Sequence, residues 1–367
     1  MKLSNNAILI FLFIFCLLAG SKTADAQDEK HHAEVIQPVI LVSDLMRPYD
    51  DPDDHWDLAH AFALAYTGAI DLKGVVIDSP VNDAYVDDKN PDVAAVAMLN
   101  YLTSLHVPVA TGSPYPLKTK NDQQEYALIQ DMGGVNLIRD VLSESETTVK
   151  IIITGSARNV AIALNRFPQL FEKKCSGIYL NAGHGLDNPF ERSRTEWNTK
   201  LDMQSYHAMF DAPCPVYWLP INVSHYRLKY DNVFPELSEN MKKFFTFMYE
   251  KQPAESWFQF LQKPLNDSII NALSDQYKSM FCAVSFFHAA GGLVDTNGNL
   301  IPVADKNKTA PVADFIPVKI DMIKYGYVKY SLEGEPGNIM LLQNETDKLF
   351  YENQTGKALK NILKLLP

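Results

Sequence analysis

Six aspartates fall within fourteen positions: Asp44, Asp50, Asp51, Asp53, Asp54 and Asp57. Carboxylates this crowded oppose one another's ionisation unless a cation sits among them. A hard divalent ion that prefers oxygen ligands, Ca²⁺ above others, suits such a loop. The start of a helix suits it too, because aspartate caps free N–H groups and complements the helix dipole. The loop alone leaves both readings open. It has no spaced ligand series ending in a bidentate glutamate, so an EF-hand is a poor fit.

The flanking pattern says what must position these residues. Val39-Ile40-Leu41-Val42 reads as a short buried strand just before the aspartates, and Leu58 to Tyr66 as an alanine-rich helix just after them. The alternation then repeats. Strands are expected at Leu72–Ile77, Val107–Val109, Val149–Ile153, Gly177–Leu180 and Pro215–Ile221, with helices at Val93–Leu105, Val135–Leu142, Val160–Asn165 and Met203–Phe210. Continuous apolar strands alternating with helices imply an α/β fold: a mostly parallel open sheet with helices on both faces. Ligands then bind beyond the carboxyl ends of the strands, in the loops that begin at Ser43, Asp78, Thr154, Asn181 and Asn222. Residues 231–277 are aromatic and polar and read as a small helical lobe. Phe281–Ala290 reads as a core helix, Phe315–Leu332 as a C-terminal hairpin and Gly356–Leu365 as a closing helix.

The first residues stand apart from this pattern. Lys2, the apolar run Ala7–Ala19 and Ala24-Asp25-Ala26 read as a signal peptide covering residues 1–26. The expected protein is therefore secreted or periplasmic, with residues 27–367 as a single domain. A membrane anchor is the alternative for that run, which is short for a span. No later stretch is long and apolar enough to cross a bilayer. The formal net charge of −11 argues against a nucleic-acid partner and suits a cation-holding site. Three cysteines follow the leader, Cys175, Cys214 and Cys282; at most one disulfide is available, and all three are expected to be small buried residues.

Specific motifs carry a resemblance. Asp53-Asp54-His55-Trp56-Asp57-Leu58-Ala59-His60-Ala61-Phe62 after a strand and Asp44 looks like the opening of the inosine–uridine nucleoside hydrolase family. Val107-Pro108-Val109 running into Gly112-Ser113-Pro114-Tyr115-Pro116-Leu117 is similar to that family's next strand and glycine turn. Thr154-Gly155-Ser156-Ala157-Arg158-Asn159-Val160-Ala161 resembles its Thr-Gly-x-x-Thr-Asn-x-Ala turn, and Glu196-Trp197-Asn198 with Asp202 its Glu-Phe-Asn segment. The order holds over Val39 to His225. The resemblance implies a nucleoside hydrolase-like fold and a metal-dependent cleavage of the N-glycosidic bond of a ribonucleoside or related glycoside. It makes Asp54 the main Ca²⁺ carboxylate, with Asp44 and the Thr154 carbonyl as further metal ligands. It gives Asp53, Asn82, Glu196 and Asn198 the sugar hydroxyls. Asn159 reads instead as a helix cap.

Two departures matter. The loop from Asp44 to Asp54 is longer than the family's, so the family's second aspartate falls at Met46 or Tyr49, and Asp51 becomes the expected catalytic base. Where the family opens a late helix with a His-Asp pair, this chain has Ser279-Met280. That change keeps a second reading open, a non-catalytic sugar- or nucleoside-binding protein on the same fold. A phosphatase is disfavoured, since no glycine loop or basic set stands ready for phosphate. The expected partner is a small-molecule nucleoside or glycoside. The oligomeric state is left open, a homo-oligomer included.

Overall fold

The computed structural model describes residues 36–47, 53–78, 90–185, 196–332, 337–344 and 346–367. The leader, Asp51 and Asn82 lie outside the described residues.

The strands in chain order are β1 (Gln37–Ser43), β2 (Ile70–Ile77), β3 (Val109–Thr111), β4 (Val149–Ile153), β5 (Cys175–Leu180), β6 (His184–Gly185), β7 (Val216–Trp218), β8 (Tyr226–Lys229), β9 (Tyr277–Met280), β10 (Asp314–Lys324), β11 (Tyr327–Ser331) and β12 (Ile339–Gln343). Two further two-stranded ladders, Met46–Arg47 with Asn90–Pro91 and Gly292–Val294 with Leu300–Pro302, stand outside this numbering. The main sheet runs β3-β2-β1-β4-β5-β7-β12-β10-β11-β6, and β8 pairs antiparallel with β9 apart from it. Every pairing from β3 to β12 is parallel. Strand β10 then pairs antiparallel with both β12 and β11. The sheet is thus mostly parallel and open, the α/β architecture expected from the sequence.

Side chains alternate across a strand, and β1 shows the result. Val39 and Leu41 enter one core with Trp56 and Phe62, while Ile40 and Val42 enter the other with Ile138 and Val160. Both faces are covered, so β1 reads as a continuous apolar run. The chain builds outward from β1 to β2 and β3, then returns to place β4 on the other side of β1. The switch point lies between the carboxyl ends of β1 and β4, where a doubly wound sheet opens its crevice.

The helix after β1 spans Asp53–Tyr66, starting earlier than the apolar pattern indicated because Asp53 and Asp54 form its first turn. Acidic residues there favour the exposed N–H groups and the positive end of the dipole. Ten consecutive residues, His55–Leu64, are buried. The helix packs against Val93–Thr103, Ala283–Ala289 and the last helix, Lys348–Leu363. That last helix also starts earlier than expected, capped by Asp347, which accepts from the N–H groups of Leu349 and Phe350 at 3.0 and 3.2 Å. Segment 231–277 contains the helices Glu239–Tyr249, Trp257–Leu261 and Asp267–Leu273. Phe245 from the first of them stacks on Trp56 with ring centroids 4.0 Å apart, which fixes the lobe over the aspartate-bearing turn. The hairpin β10–β11 is not a free appendage. Strand β12, which was not among the strands expected from the sequence, ties it into the main sheet.

His60 gives the core a pH dependence. It is fully buried between Phe286 and Phe287, and neither ring nitrogen has a hydrogen-bond partner. Burial pushes its pKa down from 6.5 to about 3. The unfolded chain takes up this proton near pH 6.5 and the folded chain only near pH 3, so stability is lost as pH falls through that interval. At pH 4 the loss from this group is ~3 kcal/mol. His60→Leu removes it: melting temperatures of variant and wild type, compared from pH 7 to pH 4, should diverge in the variant's favour as pH drops. Parallel pH profiles would show that His60 does not carry the effect.

Candidate active site

The switch point gathers residues that stand immediately after strands. Asp44 follows β1, Asp78 follows β2, Thr154 follows β4 and Asn181 follows β5. Asp54, in the first helical turn, spans the gap between β1 and β4. Its Oδ1 accepts from Ser43 Oγ at 2.8 Å and from Thr154 Oγ1 at 3.0 Å. Asp44 Oδ2 accepts from the indole N–H of Trp197 at 2.6 Å, whereas its Oδ1 is buried with no partner. Gly155 permits this approach. A Cβ there would lie 2.4 Å from the Asp44 backbone nitrogen and 2.9 Å from Asp78 Oδ2, so no larger residue fits without moving the strand end.

Asn198 closes the opposite side. Its Nδ2 donates to the carbonyls of Thr154 at 3.0 Å and Asn181 at 2.8 Å. The Asn181 amide donates to the Ile153 carbonyl at 2.9 Å and to Ser285 Oγ at 3.2 Å, leaving its own Oδ1 buried and unpartnered. Glu196 is the N-cap of helix Trp197–Leu201. Oε1 accepts from Asn198 N at 2.8 Å, and Oε2 from Gly183 N, Thr199 N and Thr199 Oγ1 at 2.9–3.0 Å. The carboxylate therefore sets the local chain path and the orientation of Asn198, where the sequence suggested a sugar ligand.

The charges in this pocket work against one another. Burial holds the Asp44 carboxyl well above the usual carboxylate range, with Asp54, Asp78 and Asp53 adding to the shift. Asp53 is raised by burial and then by Asp54 and Asp57. Asp57 is raised by burial and by Asp54, with a hydrogen bond from Cys282 pulling the other way. Lys278, carried by β9, brings its Nζ to 3.7 Å from Asp53 Oδ1, and burial lowers its pKa to about 8. Asp53 thus faces the lobe side, while Asp44 and Asp54 face the strand ends. Met280, expected at the opening of the late helix, instead ends β9, fully buried opposite Tyr226, and the helix starts three residues later at Ala283. Ser279 Oγ lies 3.3 Å from His225 Nε2.

A buried network braces the strand-end loops. Asn159 is the second residue of helix Arg158–Arg166 and does not cap it. Its Oδ1 accepts from Ser113 N at 3.0 Å, and its Nδ2 donates to Asp78 Oδ1 at 3.0 Å, so it joins the turns after β2, β3 and β4. Asp78 Oδ2 accepts from Ser156 N at 2.7 Å; burial raises this carboxyl to about 6, opposed by Arg158 and Ser156. Arg158, itself buried, donates to Asp202 Oδ2 at 3.2 Å and to the carbonyls of Ser113 and Leu201 at 3.0 and 2.9 Å.

Of the residues expected from the sequence, Asp44, Asp54, Thr154, Glu196 and Asn198 meet at one place, and Asp53 sits one position from Asp54 with its carboxylate toward Lys278. Sequence reasoning missed Asp78, Asn159, Asn181, Trp197 and Ser285 as partners in this network. The strand-end rule points to Asp78 and Asn181, which open their loops, and to the loop just before Asn159, but not to Ser285, which lies in helix Ala283–Ala289. It says nothing of which side chains turn inward.

Asn159→Ala strips the partner from Ser113 N–H and from one oxygen of Asp78, both buried. Unsatisfied buried groups cost about 1–3 kcal/mol each, so urea denaturation should show a stability loss of ~2–4 kcal/mol. A change within ~0.5 kcal/mol would mean that the network does not brace these loops.

Comparison with known proteins gives the family and the fold. The family description of the inosine-uridine preferring nucleoside hydrolases matches residues 50–287, more than half of the chain. The pyrimidine-specific ribonucleoside hydrolase RihA of Escherichia coli strain SMS-3-5 is 26% identical over 195 residues, 47% of this chain and 62% of RihA. The match therefore spans less than two thirds of that relative's length. Among solved structures, the purine-preferring ribonucleoside hydrolase from Gardnerella vaginalis aligns with a TM-score of 0.53 at 15% identity, covering 90% of this chain and 100% of that one. The plant nucleoside hydrolase PpNRh1 aligns with a TM-score of 0.53 at 12% identity, covering 89% and 99%. At these identities the structural likeness is one of fold. With the family match over residues 50–287, the chain belongs to the inosine-uridine preferring nucleoside hydrolase family.

Proposed function

We propose that the chain is a metal-dependent hydrolase of the N-glycosidic bond of a ribonucleoside or related glycoside. The observation that carries this reading is the pairing of Asp54, strung between Ser43 and Thr154, with a buried Asp44 oxygen that has no partner. An orphaned carboxylate oxygen beside further carboxylates is a good environment for a hard cation. Among the described residues, no three His, Cys, Asp or Glu side chains are already grouped as a metal cage. Asp44 and Asp54 would hold the ion, Ca²⁺ by the all-oxygen character of the donors, with the Thr154 carbonyl beside them. A bound divalent ion lowers the pKa of a nearby water and orients a sugar diol.

The chain's own groups then divide the work. Asp51, outside the described residues, is proposed as the base that takes the proton of the attacking water. Asp53 and the Oδ1 of Asn198 would accept hydrogen bonds from the sugar hydroxyls, and Asn82 would join them. Glu196 acts through Asn198, whose backbone it fixes. The negative groups around the ring favour the positive charge that develops on the sugar as the bond to the base breaks. The leader composition supports export, secreted or periplasmic.

A second reading, a sugar- or nucleoside-binding protein without turnover, rests on the Ser279-Met280 pair, which the sequence resemblance sets against the family's His-Asp pair and whose Met280 is a buried thioether. Metal analysis of the purified protein, paired with a reducing-sugar assay over a nucleoside panel with and without chelator, separates the two. The expected result is bound calcium and chelator-sensitive sugar release, reduced on the order of a hundredfold or more by Asp54→Ala. Turnover indifferent to chelator and to Asp54→Ala overturns the metal reading. Nucleoside binding without turnover establishes the second.

A further inference from the structure

We propose that Cys175 and Cys214 form a disulfide, a covalent cross-link between the two strands that flank the Glu196–Asn198 segment. Cys175 opens β5, and Cys214 stands two residues before β7, its parallel neighbour, with Ile178 opposite Val216. Simple alternation back from Ile178 would turn Ser176 toward the core that holds Val216 and Trp218. The register between β4 and β5 shifts there instead, with Val149 opposite Cys175 and Lys150 opposite Gly177. The extra residue is absorbed as a bulge, and Cys175 takes the inward position. Both cysteines consequently share one core with Ile178, Leu180, Val216 and Trp218. Neighbouring strands lie about 4.8 Å apart, within the roughly 4.4–6.8 Å Cα separation that a disulfide spans.

The two sulfurs are already partners. The neighbouring Cys214 thiol and burial raise the Cys175 thiol, and the Cys175 thiol lowers that of Cys214 against burial. Both side chains are buried thiols in this structure. Cys282 is no competitor, because it lies in the other core beside Asp57.

The oxidant is a small-molecule or protein disulfide, the class present where exported proteins fold. Cys214, as thiolate, attacks one sulfur of that disulfide and releases the other as a thiolate. Cys175 then loses its proton and attacks Cys214 Sγ, and the second sulfur of the oxidant leaves. The protein gives up two protons and two electrons, and the oxidant becomes two thiols. Burial of both sulfurs places this reaction during folding or on opening of the strand ends. The closed ring pins both ends of residues 176–213, the stretch that carries Glu196, Trp197 and Asn198.

The test is refolding of the full chain in a buffer of oxidised and reduced glutathione, followed by alkylation of free thiols under denaturing conditions and peptide mapping by mass spectrometry. The expected map joins the peptides of Cys175 and Cys214, with Cys282 alkylated, and the joined species disappears with reductant. The melting temperature of the oxidised wild type should fall on reduction, while that of Cys214→Ser should not move. Alkylation of both Cys175 and Cys214 after refolding, or a cross-link that includes Cys282, overturns the proposal. The map of the wild type decides the matter even if the serine variant does not fold.

Discussion

Burying several carboxylates at one strand–helix junction is the constraint that organises this molecule. Asp44, Asp53 and Asp57 sit with Asp54 where β1 hands over to its helix, and desolvation penalises the charge of Asp44, Asp53 and Asp57 there. The surroundings offset that penalty in small increments. The helix N-terminus supplies its dipole, Ser43 and Thr154 supply hydroxyls, Trp197 an indole N–H and Lys278 an ammonium. Gly155 lets the strand end come close enough for these donors to reach. The same arrangement that accommodates negative charge leaves one oxygen of Asp44 open.

The scaffold keeps that junction from relaxing. Asn159 and Arg158 leave one short helix after β4 and reach three other segments, so the turns after β2 and β3 and the end of helix Trp197–Leu201 cannot shift independently of it. On the other side, Trp56 is clamped by Phe245, and the aromatic lobe closes over the turn that bears Asp53 and Asp54. A polar network and an apolar stack thus brace opposite flanks of one crevice. Rigid support of this kind places functional groups more accurately than loops alone do.

What the sequence could show follows from this physics. Strands buried on both faces are continuous apolar runs, and β1, β4 and β5 are legible for that reason. Strand β12 is just as apolar, but it is parallel to β7 and far from it in the chain, and nothing local marks where it inserts. That Asp44, Asp54, Thr154 and Asn198 would meet at one place was legible because type and spacing resembled a known pattern. The protein partners of Glu196 and Asn159 were not legible, since a carboxylate or amide looks the same in a sequence whether it meets a ligand or the backbone. Only the three-dimensional path of the chain shows that Glu196 meets its own helix start and that Asn159 holds Asp78.

The position of β12 also bears on how the chain assembles. Its partners on either side, β7 and β10, both precede it in sequence, and it slots between them as the last strand made. Until it arrives, β7 presents a bare edge and the hairpin is held only where β11 pairs with the two-residue strand β6, so the sheet lacks the join between its two parts. Pairing over such sequence distances is slow to find because the intervening chain must first give up its freedom. An exposed parallel edge in that interval invites pairing with another chain. The final third of the polypeptide therefore governs the time during which the molecule is vulnerable to aggregation, although most of the chemistry-bearing residues lie well before it.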